Sequence, residues 1–314
     1  MSLNDPVVLT CSISGSLADR AQCPAIPYTP GEYAAEARRI VDEGGVHIHI
    51  HARSPDGRPS YEVEDFSAIS GAIRSEVGDA AIINFSTGAL GVPVEKRIAY
   101  LEACRPEVAA LNMGSMNYAK YSPRRKEFVF STVFLNPFDE IVALLEAMRR
   151  LGIKPEHECF DVGHVGNLGP LIDMGLLDGP LHADFVMGVT GGIPPTARNL
   201  AAMADNLAEV GRALPGDDGA AAHHHWGVIG ISRVQWPMVG AALALGGSVR
   251  VGLEDNFYLP DGTMASSNGE LVEKARTMAV HSGRRLATVD EARAALGLPV
   301  PGRQAPTDSP AAAL

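Results

Sequence analysis

The sequence has 314 residues, 46% of them hydrophobic and 20% charged, so the chain can bury a large core without disulfides. Acidic residues outnumber basic ones by 37 to 26, and the net charge of −11 disfavours binding to nucleic acid or to an anionic membrane. No apolar run reaches the roughly 18 residues of a membrane span, and the first residues lack a secretion-signal pattern. Four widely spaced cysteines predict reduced thiols. We therefore expect a soluble, cytoplasmic protein.

Short β-branched runs alternate along the chain with longer segments whose apolar residues recur at helical spacing, which is typical of a parallel sheet with crossover helices. The predicted strands are residues 7–13, 46–52, 81–86, 108–113, 157–162, 185–189, 226–232 and 248–254. The first helix begins at a capping box, Thr29-Pro30-Gly31-Glu32, and ends at Gly44-Gly45. Further helices are predicted at residues 64–77, 94–103, 138–151, 168–177, 196–210 and 234–245.

Eight strand–helix units in a chain of this length favour an α/β fold of the (β/α)8 TIM-barrel type over an open, doubly wound sheet. No GxGxxG motif follows the first strand, so a dinucleotide-binding site has little support. We predict a single barrel domain over residues 1–298 and a flexible C-terminal tail over residues 299–314. Residues 215–222 are predicted to form an exposed loop, and residues 223–225, a run of three histidines, a loop without a catalytic role.

The second predicted strand carries three histidines, and the catalytic groups of a barrel lie at the C-terminal ends of its strands. Alternation places His47, His49 and His51 on one face, with neighbours about 7 Å apart. His49 and His51 lie nearest the end of the strand and are the predicted metal pair, whereas His47 is a deeper interior group. The alternative is three hydrogen-bonded core histidines, which would require a partner for every ring.

A catalytic zinc ion usually has three protein ligands and one open position. In the last predicted strand, Arg250, Gly252 and Glu254 share a face, so Glu254 is the predicted third ligand. Asp255 would face outward unless the strand ends or bulges at this point, in which case it is the candidate base. The alternative is a pair of surface carboxylates at the start of a loop.

These motifs resemble those of the β-keto acid cleavage enzymes, whose founding member is the 3-keto-5-aminohexanoate cleavage enzyme. The matching segments include HIHAR at 49–53, FSTG at 85–88, GVTGG at 188–192 and GLEDN at 252–256, and they run in order up to about residue 298. The resemblance implies a zinc-dependent barrel that condenses a β-keto acid with acetyl-CoA to give acetoacetate and a new acyl-CoA. It implies that His49, His51 and Glu254 bind Zn²⁺, that Asp255 is the base, and that Arg250 supports the developing negative charge.

The resemblance also implies substrate-binding residues after the third and fourth strands. Ser86 and Ser115 would hold the substrate carboxylate, Ser115 standing where the better-known member has threonine. Thr87, Gly88 and Asn117 belong to the same matching segments. We therefore expect these five residues to line one pocket.

The side chain of the substrate is less well determined by the sequence. The aminohexanoate enzyme carries a glutamate where this chain has Leu17, which favours an uncharged or apolar acyl group over a cationic one. Asp161 and His164, which follow the fifth predicted strand, could reverse that preference because they offer charge of either sign.

Residues 120–126 are the densest basic patch of this acidic chain. We predict a loop there, and its basic residues are candidates for binding the phosphates of CoA: Lys120, Arg124, Arg125 and Lys126. The alternative is a solvated run of charges without a ligand.

Two other functions remain open. A metal-dependent hydrolase of the amidohydrolase type also uses an HxH strand in a barrel, but on the first strand and with further histidines at later strand ends. Zinc storage or sensing is less favoured, because a mixed His/Glu site with an open position suits catalysis. The family resemblance further suggests a homo-oligomer such as a tetramer.

Overall fold

A computed structural model describes residues 1–214 and 224–300 of the chain. The predicted loop at 215–222, His223 and residues 301–314 of the predicted tail lie outside the described residues. The strands are β1 (Leu9–Ser12), β2 (His47–Ile50), β3 (Ile82–Ser86), β4 (Val108–Asn112), β5 (Met116–Ser122), β6 (Glu127–Phe134), β7 (Lys154–Cys159), β8 (His182–Met187), β9 (His225–Gly230) and β10 (Ser248–Val251). Eight of them close into a parallel barrel in the order β1-β2-β3-β4-β7-β8-β9-β10, which confirms the predicted fold and excludes the open sheet.

Helices cover the outside of the barrel. They are α1 (Pro30–Asp42), α2 (Val63–Val77), α3 (Val94–Cys104), α4 (Phe138–Leu151), α5 (Val162–Gly166), α6 (Leu168–Asp173), α7 (Ala197–Gly211), α8 (Gln235–Leu245), α9 (Asn268–His281) and α10 (Val289–Leu296). The predicted capping box is present at α1, where the Thr29 side chain accepts from the Glu32 amide and the Glu32 carboxylate accepts from the Thr29 amide. None of the described helices is long and apolar enough to span a membrane, and all four cysteines are free.

The barrel interior is polar at the positions that build the site. In the strand register, Thr10 lies beside His47 on one side and beside Arg250 on the other, and His49 lies beside Asn84. The intervening residues of β2, such as Ile48, are fully buried within the main hydrophobic core. Because barrels usually fill their interior with branched apolar residues, this reversal marks the interior as functional.

A two-stranded antiparallel hairpin, β5 and β6, follows β4 and was not predicted from the sequence. The prediction of a loop at 120–126 was therefore wrong for its first three residues, which lie in β5, and the turn occupies the remainder. The hairpin contacts the turn after β8 at Gly191. A Cβ atom there would lie 1.8 Å from the Asn117 carbonyl oxygen, so only glycine allows this approach.

The run of histidines before β9 also differs from its prediction. His225 begins β9 and is buried, because its side chain lies against the ring of His182 at a centroid distance of 5.3 Å. His224 is buried as well, and its Nδ1 accepts from the Leu181 amide. The predicted loop was therefore wrong for His225, whereas His224 precedes the strand.

Candidate metal and catalytic site

The predicted metal pair lies at the C-terminal end of β2. His49 is buried in the strand, and His51 follows directly after it and is half-buried; the centroids of the two rings are 5.3 Å apart. The His51 carbonyl oxygen accepts hydrogen bonds from the Tyr33 hydroxyl at 2.8 Å and from Ser14 Oγ at 3.2 Å. These contacts fix the main chain at the point where it leaves the strand.

The third predicted ligand comes from a sharp turn, not from a strand. The prediction that the last strand reaches residue 254 was wrong, since β10 ends at Val251 and the next residue, Gly252, has a φ of 150°. A Cβ at Gly252 would lie 2.1 Å from the Ser12 carbonyl oxygen, so glycine is required for the chain to turn here. The turn directs both Glu254 and Asp255 into the barrel mouth. The strand therefore ends before Asp255, which is the condition stated above for Asp255 to reach the site.

The geometry and chemistry of the three side chains fit a zinc ion. Glu254 Oε1 is 3.4 Å from His51 Nε2, Glu254 Oε2 is 3.7 Å from His49 Nε2, and one ligand atom from each residue lies within 4.8 Å of the others. In the part of the chain that the structure describes, His49 Nε2 and Glu254 Oε2 are buried without a hydrogen-bond partner. Two imidazoles and one carboxylate form a set that catalytic zinc sites use.

Arg250 holds the carboxylates of the mouth together. Its buried guanidinium donates to both oxygens of Asp255, at 3.0 and 3.1 Å, and to Glu254 Oε1 at 2.7 Å. Ser12 Oγ also donates to Asp255 Oδ2, at 2.6 Å. Burial raises the pKa of Asp255 to about 6, although Arg250 opposes the rise. Asp255 is therefore a positioned carboxylate beside the candidate metal ligands, which is the arrangement that a general base requires.

Glu158 is a member of this group that the sequence reading missed. Its Oε1 accepts from Arg250 Nη1 at 2.9 Å, and burial raises its pKa to about 7 while Arg250 opposes the rise. The predicted fifth strand began at His157, whereas β7 begins three residues earlier and aims Glu156 and Glu158 inward. The signal was the alternation of glutamates around His157, which repeats the alternation of histidines in β2.

The predicted residues after β3 lie at the end of the strand but are partly engaged by the protein itself. Thr87 Oγ1 donates to the Ala110 carbonyl oxygen at 2.5 Å, so its hydroxyl is committed to the main chain. Ser86 Oγ accepts from the Gly88 amide at 3.2 Å. A Cβ at Gly88 would lie 3.0 Å from Asn112 Nδ2, which brings the ends of β3 and β4 together.

The predicted residues after β4 and β7 meet at one place. Ser115 is exposed, and its Oγ accepts from the Asn136 amide at 2.8 Å. His164 is buried, and its ring carbon Cδ2 would lie 2.7 Å from a Cβ at Gly114, so it lies beside the end of β4; burial lowers the pKa of His164. Asp161 caps α5 by accepting from the Gly163 amide.

Three further groups of predicted residues are exposed at the surface. Leu17 is exposed in the loop after β1, two residues from Gly15, whose Cβ position lies 2.6 Å from Glu254 Cγ. Asn117 is exposed in β5. The four basic candidates are exposed on the hairpin, with Arg125 Nε 3.2 Å from Glu127 Oε1.

Known proteins resemble this chain over nearly its whole length. A 3-keto-5-aminohexanoate cleavage enzyme from Acetoanaerobium sticklandii is 34% identical over 294 residues, which cover 94% of this chain and 99% of the relative. A 3-oxoadipate:acetyl-CoA acetyltransferase from Cupriavidus necator is also 34% identical, with 95% of this chain and 96% of the relative covered. A 3,5-dioxohexanoate:acetyl-CoA acetone transferase from Paraburkholderia graminis is 33% identical over 95% of this chain and 97% of the relative.

The fold of a solved structure agrees with this result. The apo structure of ObcA matches with a TM-score of 0.68 and 22% identity, over 89% of this chain and 66% of that longer chain. The amidohydrolase alternative is not favoured, because the HxH pair lies on β2 and the relatives are β-keto acid enzymes. The sequence pattern of the beta-keto acid cleavage enzymes matches residues 6–298, and the chain therefore belongs to that family.

Proposed function

We propose that this protein is a zinc-dependent β-keto acid cleavage enzyme that condenses a β-keto acid with acetyl-CoA, giving acetoacetate and an acyl-CoA. The observation that carries the proposal is the convergence of His49, His51 and Glu254 beside Asp255 and Arg250. The relatives support it, since two of their names specify acetyl-CoA together with a β-keto acid.

The residues of the mouth have distinct parts in this reaction. Bound to the two imidazoles and Glu254, zinc would act as a Lewis acid that makes the methylene beside the keto group acidic. Asp255 takes the proton from that methylene, and Ser12 and Arg250 hold its carboxylate in position. The Arg250 guanidinium also stabilises the negative charge that develops on oxygen as the proton leaves.

The remaining steps exchange two acyl groups. The carbon that lost its proton attacks the thioester carbonyl of acetyl-CoA, and the CoA thiolate leaves. The thiolate then attacks the original keto carbon, and the carbon–carbon bond to the methylene breaks. The electron pair of that bond stays on the acetoacetate carbon, which takes the proton back from Asp255. The products are acetoacetate and the acyl-CoA of the original keto acid.

We propose that the acyl group is uncharged or apolar. Leu17 lies on the loop that contacts Glu254, and it offers no charge to a substrate. Asp161 is engaged as a helix cap, and the lowered pKa of buried His164 keeps its ring neutral near pH 7. Glu158 is paired with Arg250. Neither a cationic nor an anionic side chain therefore has a free counter-charge among these residues.

A substrate panel tests the reaction and the acyl group together. Purified protein is incubated with acetyl-CoA and β-keto acids that have cationic, anionic, polar uncharged and aliphatic side chains, and acetoacetate is measured with and without a chelator. We expect acetoacetate from the uncharged members and its loss on chelation. No acetoacetate from any member would contradict the reaction, and turnover without acetyl-CoA would indicate a hydrolase.

We propose that the basic residues of the hairpin bind the phosphates of CoA. Lys120, Arg124, Arg125 and Lys126 are exposed together on an otherwise acidic protein, so they would attract that anion. In the double variant Arg124→Ala/Arg125→Ala, the KM for acetyl-CoA should rise several-fold while kcat is retained. The matched control is Arg38→Ala, an exposed arginine of α1. An unchanged KM would remove the hairpin from CoA binding.

We also propose that the chain forms a homo-oligomer in the cytoplasm through the outer face of the hairpin. Three apolar side chains are each about half exposed there: Phe128, Val129 and Val133. A cluster of exposed apolar side chains is typical of a surface that a second protein chain covers. Phe128→Glu should lower the mass measured by light scattering. A wild-type mass equal to that of one chain would contradict the proposal.

A further inference from the structure

A second group of metal-ligating side chains lies in the barrel interior, one layer below the mouth. It consists of His47 from β2, Glu156 from β7 and His182 from β8, and each of the three is at most 1% exposed. His47 shares the inward face of β2 with His49 and lies about 7 Å nearer the start of the strand. None of the roles proposed for the mouth uses these residues.

The distances within this interior cluster fit a bound ion better than direct hydrogen bonds. His47 Nε2 is 3.8 Å from Glu156 Oε2, His182 Nε2 is 3.7 Å from the same oxygen, and the three ligand atoms lie within 4.8 Å of one another. These separations exceed hydrogen-bond length. Ligands around a tetrahedral zinc ion, with bonds of about 2.0–2.2 Å, lie about 3.3–3.5 Å apart. Both histidine–glutamate separations are therefore within a few tenths of an ångström of the spacing that one shared ion requires.

Neighbouring side chains hold two of the three ligands, His47 and Glu156, in orientation. Among the described residues, His182 Nδ1 is buried without a hydrogen-bond partner. Thr10 Oγ1 is 3.0 Å from His47 Nδ1, and Asn84 Nδ2 donates to Glu156 Oε2 at 2.7 Å. With its Nδ1 engaged, the His47 ring presents Nε2 to the cluster, and this atom is buried without a hydrogen-bond partner, as is Glu156 Oε1. Metal-binding histidines commonly have the opposite ring nitrogen fixed in this way.

The formal charge of the interior also favours an additional cation. Among the described residues, five inward carboxylates face one guanidinium, that of Arg250; they belong to Glu156, Glu158, Asp184, Glu254 and Asp255. The group therefore carries a formal excess of four negative charges, and burying unpaired charge is costly. One divalent ion at the mouth removes half of this excess. A second ion would remove the rest, whereas a proton on Glu156 would remove one charge.

We propose that His47, Glu156 and His182 bind a second divalent cation of the zinc class, distinct from the ion of the mouth. Asp184 lies at the edge of this cluster, with its Oδ2 3.7 Å from His182 Nε2. The three ligands are sealed from solvent, which suits a structural ion and not a catalytic one. The ion stabilises the barrel by joining β2, β7 and β8 and has no contact with substrate.

The test measures metal in the full-length protein purified with zinc in every buffer and freed of excess metal by gel filtration. We expect about two zinc ions per chain by mass spectrometry and two anomalous peaks at the zinc edge in a crystal. One peak must lie among His47, Glu156 and His182. Zinc at the mouth alone would overturn the proposal, and so would an interior that holds a water molecule instead.

Variants separate the two sites. Glu156→Gln and His182→Gln should each lower the zinc content from about two to about one per chain and lower the melting temperature, leaving the anomalous peak at the mouth. The control is His157→Gln, which alters a buried histidine of β7 that lies in neither cluster. A folded Glu156→Gln protein that keeps both ions would overturn the proposal. If a variant fails to fold, the wild-type anomalous map still decides.

This result is independent of the reaction proposed for the mouth. Two zinc ions without turnover on any β-keto acid would leave the interior site standing and contradict the proposed function. Turnover with a single ion at the mouth would support the proposed function and contradict the interior site.

Discussion

Two histidines of one strand, His49 and His47, lie in clusters with the same ligand chemistry but different access to solvent. His49 belongs to the mouth, where the side chains of His51 and Glu254 are 13% and 18% exposed. His47 belongs to the interior cluster, where Glu156 and His182 are sealed from solvent. A substrate can reach only the first. Access to solvent, more than ligand type, would therefore distinguish a catalytic metal site from a structural one on the same strand.

The two clusters also differ in the hydrogen bonds that hold their carboxylates. At the mouth, the guanidinium of Arg250 donates to Glu254, Asp255 and Glu158. In the interior, Glu156 Oε2 accepts from the Asn84 amide, a neutral donor. A neutral donor balances no charge, so the interior carboxylate depends more strongly on a cation.

The largest expected effect is on the mouth ligand itself. His49→Gln should remove the metal of the mouth and reduce turnover below detection, because the open coordination position is lost with the ion. Metal content and acetoacetate formation are measured on the same preparation. His157→Gln, the matched control outside both clusters, should keep metal and turnover. Turnover that survives in His49→Gln would show that the register assigned to β2 is wrong.

Asp255→Asn should separate the base from the metal. We expect kcat to fall by about 10²–10⁴-fold, the range for loss of a general base, with zinc content unchanged. Asp178→Asn, an exposed aspartate far from the mouth, is the control. An unchanged kcat would mean that Asp255 is not the base. Loss of zinc from the variant would mean that Asp255 and the bound ion depend on each other.

Much of this comparison could be predicted from the sequence, and the missing parts have physical causes. Alternation along β2 was sufficient to place His47 and His49 on one face, and their order along the strand placed His49 nearer its C-terminal end. The turn at Gly252 could not be located, since a glycine within an apolar run is compatible with a strand until the Ser12 carbonyl oxygen is placed beside it. The interior partners of His47 come from β7 and β8, and only barrel closure brings them together.

The hairpin was missed for a related reason. Residues 120–126 contain a Ser-Pro and three consecutive basic residues, which is typical of a loop. Strand β6, which pairs with β5, is exposed along nearly its whole length. Because neither of its faces is buried, its aromatic residues follow neither an alternating nor a helical pattern. Strand pairing that depends on backbone contacts leaves little trace in the sequence.

Removing the guanidinium tests how strongly the mouth depends on its one cationic side chain. Arg250→Met should lower the free energy of unfolding by about 3–5 kcal/mol, because three carboxylates lose a buried partner. Urea unfolding measures the change. Arg212→Met removes an exposed ion pair with Glu209 and should give no measurable difference. A loss below about 1 kcal/mol in Arg250→Met would mean that bound metal, not the guanidinium, balances the mouth.

The smallest expected effect concerns substrate choice at the rim of the mouth. Leu17→Glu places a carboxylate on the loop that contacts Glu254, and it should favour β-keto acids with a cationic side chain by about tenfold in relative kcat/KM, about 1.4 kcal/mol. Leu17→Gln, which has the same length without the charge, is the control. Because residue 17 is exposed and remote from His47, the zinc content should not change. If Leu17→Glu and Leu17→Gln alter the preference equally, charge at this position does not select the acyl group.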